Sequence, residues 1–180
     1  LNDEDVIRAA INSFVVAVLS ALISTCLGAL AAYYSARMGS SSLDPVFYVP
    51  IVIPEIAEAV SLLLLFHWAG VELGFLTVLI GHTAYNVAYA YVALKPQFEL
   101  TPKRLEEAAM VLGARPIHVL LKLLVPLATP GLHASLLITF TMSFDDFVKT
   151  AFTTGPGFKT LPLVIWARAA RARATPSLNA

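Results

Sequence analysis

The sequence predicts an all-α fold, a polytopic bundle of transmembrane helices. Three observations lead there. Of 180 residues, 58% are hydrophobic and only 13% charged, against the roughly 25% charge of a soluble domain, and the mean hydropathy is +0.76. Three stretches carry no charge at all: Ala9 to Ala36, Leu73 to Leu94 and Leu123 to Phe144. Each reaches the roughly 20 residues that a helix needs to cross lipid. Finally, runs such as LLLLF and VLSALIS do not alternate as barrel strands must, whereas a helix satisfies its own backbone in hydrocarbon. Too little polar surface remains for a lone water-soluble enzyme, and the runs are too long and too many for the core helices of a soluble protein. Twelve basic and twelve acidic residues cancel, so no charge excess calls for nucleic acid. The single Cys26 excludes an internal disulfide and a cysteine zinc site. His67, His82, His118 and His133 lack metal-ligand spacing.

Taken in order, residues 1–180 read as one transmembrane domain with spans at about 10–34, 46–67, 74–94 and 130–151. The opening LNDEDVIRAA has neither an initiator Met nor a basic region followed by a cleavage site, so no signal peptide is expected. TPSLNA stops where another apolar helix could begin, and both ends are expected to be cut from a longer product. The second span is interrupted by Glu55 and Glu58, and Pro50 and Pro54 before them can kink or open it. After the third span comes a polar loop, 95–129. Thr101-Pro102 is a helix start, and Leu105, Ala108, Ala109 and Leu112 fall on one apolar face, away from Lys103, Arg104 and Glu107. Gly113 suits a left-handed stop, and Pro116 can open a second helix, Ile117 to Val125, ending near Pro126 and Pro130. A helix–turn–helix knob of this kind fits a groove in a partner protein or lies on the lipid surface.

The segment EAAMVLGARPIHVLLKLLVPLATPG resembles the EAA loop of ABC-importer permeases. Glu107, Ala108, Ala109, Gly113 and Pro126 match that motif, with Leu123 and Val125 where Ile and Leu are more usual. NSFVVAVLSALISTCLGALAAYYSAR and VPIVIPEIAEAVSLLLLF resemble early spans of the same permeases. SFDDFVKTAFTTGPGFKTLPLVIW and TPSLNA are similar to the spermidine/putrescine permeases of the PotC type. Ser177 departs from the acidic residue common there, and the basic stretch Ala167 to Ala174 has no counterpart to assign.

The resemblance implies six spans in the whole subunit, of which about four are complete here, and a multi-pass protein of the inner (cytoplasmic) membrane. It implies a cytoplasmic loop 95–129 that docks into an ATP-binding subunit dimer, with ATP and Mg on that partner and no cofactor on this chain. A second permease subunit, distinct from this one, and an extracytoplasmic substrate-binding protein complete the expected assembly. Counting from that loop, Arg37 to Asp44 lies inside, and the N-terminal end, 68–73 and the segment 152–175 lie outside. Basic residues support this orientation weakly, since Lys159, Arg168, Arg171 and Arg173 fall outside.

Acidic residues within spans usually line a cavity or a pathway. Glu55 and Glu58, three apart, share a helix face, and Asp145 and Asp146 sit late in the fourth span. Carboxylates along an aromatic-bearing path would attract a polyamine, with Tyr85, Tyr89, Tyr91 and Trp68 as cation–π candidates. The structural alternatives stay open: Asp145 or Asp146 can bond local backbone or pair with Lys149, and Glu55 can hold a broken helix together. Ferric iron, thiamine or phosphonate are other cargoes of similar permeases. A passive channel would need no ATPase. An intramembrane hydrolase would need an activated Ser or facing Asp pair, and no such set, nucleophile elbow or phosphate-cradling loop can be argued, so catalytic residues are not expected.

Overall fold

The computed structural model describes residues 3–39 and 43–174. Among them every regular element is helical: α1 (Asp3–Met38), α2 (Asp44–Val52), α3 (Glu55–Trp68), α4 (Phe75–Leu100), α5 (Lys103–Val111), α6 (Pro116–Val119), α7 (Val125–Phe144), α8 (Val148–Thr153) and α9 (Leu161–Ala174). Ser177 lies outside the described residues, as do the side chains of the second half of the basic stretch.

α1 shows why this sequence suits lipid. Its 36 residues span about 54 Å at 1.5 Å each. Ser13, Ala17, Ala21, Ser24, Gly28, Ala32 and Ser35 recur at three- and four-residue intervals and are buried. Ile7, Ile11, Phe14 and Leu30 are 56–60% exposed. Small and hydroxyl-bearing residues face protein while large apolar ones face outward, the arrangement expected where lipid replaces water. α1 and the run Pro116–Phe144 are each long and apolar enough to cross a membrane. The α2–α3 pair adds a third crossing if its two bent halves count as one. α4 is 26 residues long and carries polar groups in place of a uniform apolar surface, with His82 and Asn86 both buried.

The expected interruption of 46–67 is an opening at Pro54, and two expected boundaries change. α2 and α3 meet at 107°, and the helix restarts at Glu55. Pro54 lacks an N–H and pushes Ile53 out of the helical region, so the first helix ends there. The second helix of the polar loop does not stop near Pro126 and Pro130. It continues from Pro116 to Phe144 through a π-helical turn at Leu120–Leu124, where the Val125 N–H bonds back to Leu120 O. That wider turn accommodates Pro126, which has no N–H to give. The helix over 130–151 ends at Phe144, and the chain restarts as α8 after Asp145 and Asp146.

The described residues form two compact units. The first takes residues 3–20, 53–84 and 140–174. Its interior is polar: His82 Nδ1 lies 2.7 Å from Ser143 Oγ, His82 Nε2 lies 2.9 Å from Thr150 Oγ1, and Thr77 donates to Thr153 O at 2.7 Å. The Leu161 N–H, at the start of α9, donates to Ser13 Oγ at 2.8 Å. The second unit takes residues 21–39, 43–52 and 85–139. Its core gathers Ala32, Tyr91, Leu94, Phe98 and Ala128. Tyr91 stacks on Phe47 at 4.2 Å, donates to Asp44 Oδ1 at 2.6 Å and shares a 2.9 Å bond with Ser35 Oγ. Lys95 clamps both oxygens of the same Asp44 at 2.6 and 2.7 Å. Tyr91 is thus a core residue, and the expectation that it offers a free face to a cation does not hold.

Candidate functional site

The polar loop is built by three local devices. Pro102 holds extended backbone and starts α5, Gly113 turns at φ +87° where a side chain would be strained, and Pro116 opens α6. Of α5, only Glu106 is buried. The face that reads as apolar is not packed inward: Leu105, Ala108 and Leu112 are exposed, and Ala109 is half-buried. Val111 and Leu112, at the tip, are each 87% exposed. Glu107 is exposed and Pro126 sits near the start of α7. The knob thus buries one carboxylate and presents exposed aliphatic side chains next to Lys103, Arg104 and Glu107.

Glu106 escaped the sequence reading. Its carboxylate accepts a 2.7 Å bond from the Tyr33 hydroxyl and is ion-paired with the Arg37 guanidinium. Arg37 Nη1 donates to Phe98 O at 2.9 Å, and Lys103 Nζ donates to Arg37 O. No local pattern links residues 69 positions apart, and Glu106 differs from its neighbour Glu107 only by one step around the helix.

The acidic candidates divide. Glu55, Glu58, Asp145 and Asp146 all lie in the first unit. Lys149 Nζ, 2% exposed, bonds Glu55 Oε1 at 2.5 Å and Asp146 Oδ2 at 3.2 Å. Asp146 also accepts from the Thr150 N–H at 3.0 Å, and its Oδ1 lies 3.5 Å from His82 Nε2. Asp146 is therefore satisfied internally, while Glu55 keeps a side chain 43% exposed. Glu58 is half-buried, with Oε2 shielded and without a hydrogen-bond partner among the described residues. Asp145 is exposed and borders a groove of about 490 Å³ with Phe144, Phe147, Ile165 and Trp166. Phe147 and Trp166 sit with ring centres 5.4 Å apart. Tyr85 and Tyr89 belong to the second unit and bond one another through their hydroxyls at 2.5 Å. Trp68 is 86% exposed at the end of α3. Among the described residues no His, Cys, Asp or Glu group has metal-binding geometry.

Among the described residues, the long apolar helices are of the kind that cross membranes. The profile of the family described as "binding-protein-dependent transport system inner membrane component" matches residues 24–178. The chain belongs to that family. This inner-membrane component is similar to the spermidine/putrescine transport system permease protein PotC of Escherichia coli (strain K12), 33% identical over 183 residues, covering 100% of this chain and 69% of that protein. It is 34% identical to the PotC protein of Haemophilus influenzae, over 99% of this chain and 70% of the relative. The putrescine transport system permease protein PotI of Escherichia coli (strain K12) is 32% identical over 100% of this chain and 67% of its own length. The chain is a multi-pass transport permease of the cell membrane.

Proposed function

We infer that this permease carries polyamines inward, driven by a separate ATP-binding subunit dimer that grips the α5–α6 knob from the cytoplasm. The observation that carries the reading is the mixed surface of α5: it buries Glu106 alone and leaves Leu105, Val111 and Leu112 exposed beside Lys103, Arg104 and Glu107. A projection with apolar side chains ringed by charge suits a groove on a partner protein. Glu107, exposed beside Ala108 and Ala109, orients the knob in that groove, the two alanines allow close approach, Gly113 sets the turn, and Pro126 fixes where the knob passes into α7. ATP and Mg act on the partner. A second permease subunit completes the path, and an extracytoplasmic binding protein delivers substrate. The segment 152–175 faces outward on this reading.

The cargo follows from the relatives named for spermidine and putrescine and from the local chemistry. Asp145 with Phe147 and Trp166 offers a carboxylate beside aromatic faces, which suits an ammonium carried on methylenes. Glu55 and Glu58 belong to the same unit as Asp145 and add carboxylates there.

Two measurements test this. In the full subunit assembled with its ATPase, Glu107→Lys and Gly113→Asp should leave ATP hydrolysis running while uptake falls roughly tenfold or more, the scale of a coupling free energy of 1–3 kcal/mol. Undiminished uptake by both would remove the knob from the mechanism. Asp145→Asn should raise the KM for putrescine several-fold, and Trp166→Ala should do so less. Unaltered KM in both would leave the cargo resting on likeness alone.

A further inference from the structure

The knob could be fastened to the rest of the second unit in two ways: by chain alone, through α4 before it and α7 after it, or also by a joint to an element distant in sequence. The geometry selects the second. α5 buries one side chain, Glu106, and that side chain is spent on the last turns of α1. Tyr33 donates its hydroxyl to one carboxylate oxygen and Arg37 pairs with the other. Arg37 is itself held twice, by its own donation to Phe98 O near the end of α4 and by its 5.3 Å stacking over the Tyr33 ring. Tyr33 in turn meets Phe98 edge-to-face at 5.7 Å. Lys103, at the start of α5, closes the set on the Arg37 carbonyl.

Packing around this joint is loose. A cleft of about 380 Å³, lined by Leu30, Met110, Ile117, Leu120 and others, separates α1 from the apolar side of α5 and α6. The knob therefore does not lean on α1 through a packed apolar face. It is pinned at one polar point, and such a contact is directional where apolar packing is not.

We propose that Glu106, Arg37 and Tyr33 form a strut that makes α1 move with the knob, so that a push on α5 reaches three helices, α1 as well as the chain-linked α4 and α7. These are positioning residues, since none meets the substrate. The inference rests on the knob being a dock for an ATPase, and its test is arranged so that the two can fail separately.

The experiment uses the whole transporter, purified with its ATPase and reconstituted in proteoliposomes, reading uptake per ATP hydrolysed. Glu106→Gln, Arg37→Gln and Tyr33→Phe should each co-purify with the ATPase as wild type does and hydrolyse ATP, yet move at least fivefold less substrate per ATP. The exchange Arg37→Glu with Glu106→Arg should recover a good part of the ratio, which an effect on folding of α5 alone would not produce. Tyr33→Phe removes only a hydroxyl and keeps the ring, so it reports even if the charge variants fail to assemble. Wild-type ratios in Tyr33→Phe and in whichever charge variants assemble would overturn the strut while leaving the dock intact. Absence of any ATPase on the wild-type subunit would overturn the dock, and the strut with it.

Discussion

Lys149→Met should be among the most destabilising single substitutions in the chain. Lys149 is 2% exposed and lies against two carboxylates, Glu55 at 2.5 Å and Asp146 at 3.2 Å. Removing one partner of a buried pair leaves the other charge uncompensated, at a cost of about 3–5 kcal/mol. The two carboxylates do not share that cost equally. Glu55 is 43% exposed and can turn to water, whereas Asp146 is 3% exposed and cannot. The lower end of the range is therefore expected, and it falls on α8, whose Thr150 N–H also depends on Asp146. The double variant Lys149→Met with Asp146→Asn should regain most of the loss, since a neutral pair leaves no stranded charge. Thermal unfolding of the purified subunit in detergent or nanodiscs measures both. A single variant melting with the wild type would mean that the network is not what holds α8 against α3.

That network also shows where sequence reading stops. The apolar skin of α1 and the turn chemistry of the knob are local matters: Pro102 and Pro116 start helices and Gly113 turns between them because of what each residue permits by itself. The same letter carries less meaning when its effect depends on neighbours. Pro54 ends a helix and produces a 107° bend, yet Pro96, Pro126 and Pro130 sit inside helices, Pro126 behind a π-helical turn that takes up the missing hydrogen bond. Nothing in the residues around Pro126 announces that turn. Charge is less legible still. Glu55, Glu58, Asp145 and Asp146 read alike as candidate pathway residues, but Asp146 is bonded from several sides, Glu55 is shared with Lys149, and only Asp145 stands exposed beside aromatic rings. Those differences come from partners brought in by the fold, as does the burial of Glu106 beside an exposed Glu107.

Gly28→Ala should be nearly as harmful as Gly28→Leu, and that near-equality is the sharper expectation. A Cβ built at Gly28 would stand 2.5 Å from Ala90 Cβ, 2.8 Å from Tyr91 N and 2.9 Å from Ala90 C. Two of those three atoms are backbone and cannot rotate away, so the first carbon added already forces α1 and α4 apart within their unit. In lipid no hydrophobic force draws helices together, and close backbone approach supplies much of their attraction. Separation here would also loosen Tyr91, which is fully buried next to the contact. Overpacking of this kind costs about 1–3 kcal/mol, and a backbone clash belongs at the upper end. Replacing Ala90 by Gly in the Gly28→Ala background removes the nearest contact, Cβ against Cβ, and leaves the two backbone ones. Recovery should accordingly be partial, visible as a rise in unfolding temperature that stops short of wild type. Full recovery would place the whole clash between the two methyl groups, and a Gly28→Ala variant of unchanged stability would show that the helices do not approach as closely as 2.8 Å at Tyr91 N requires.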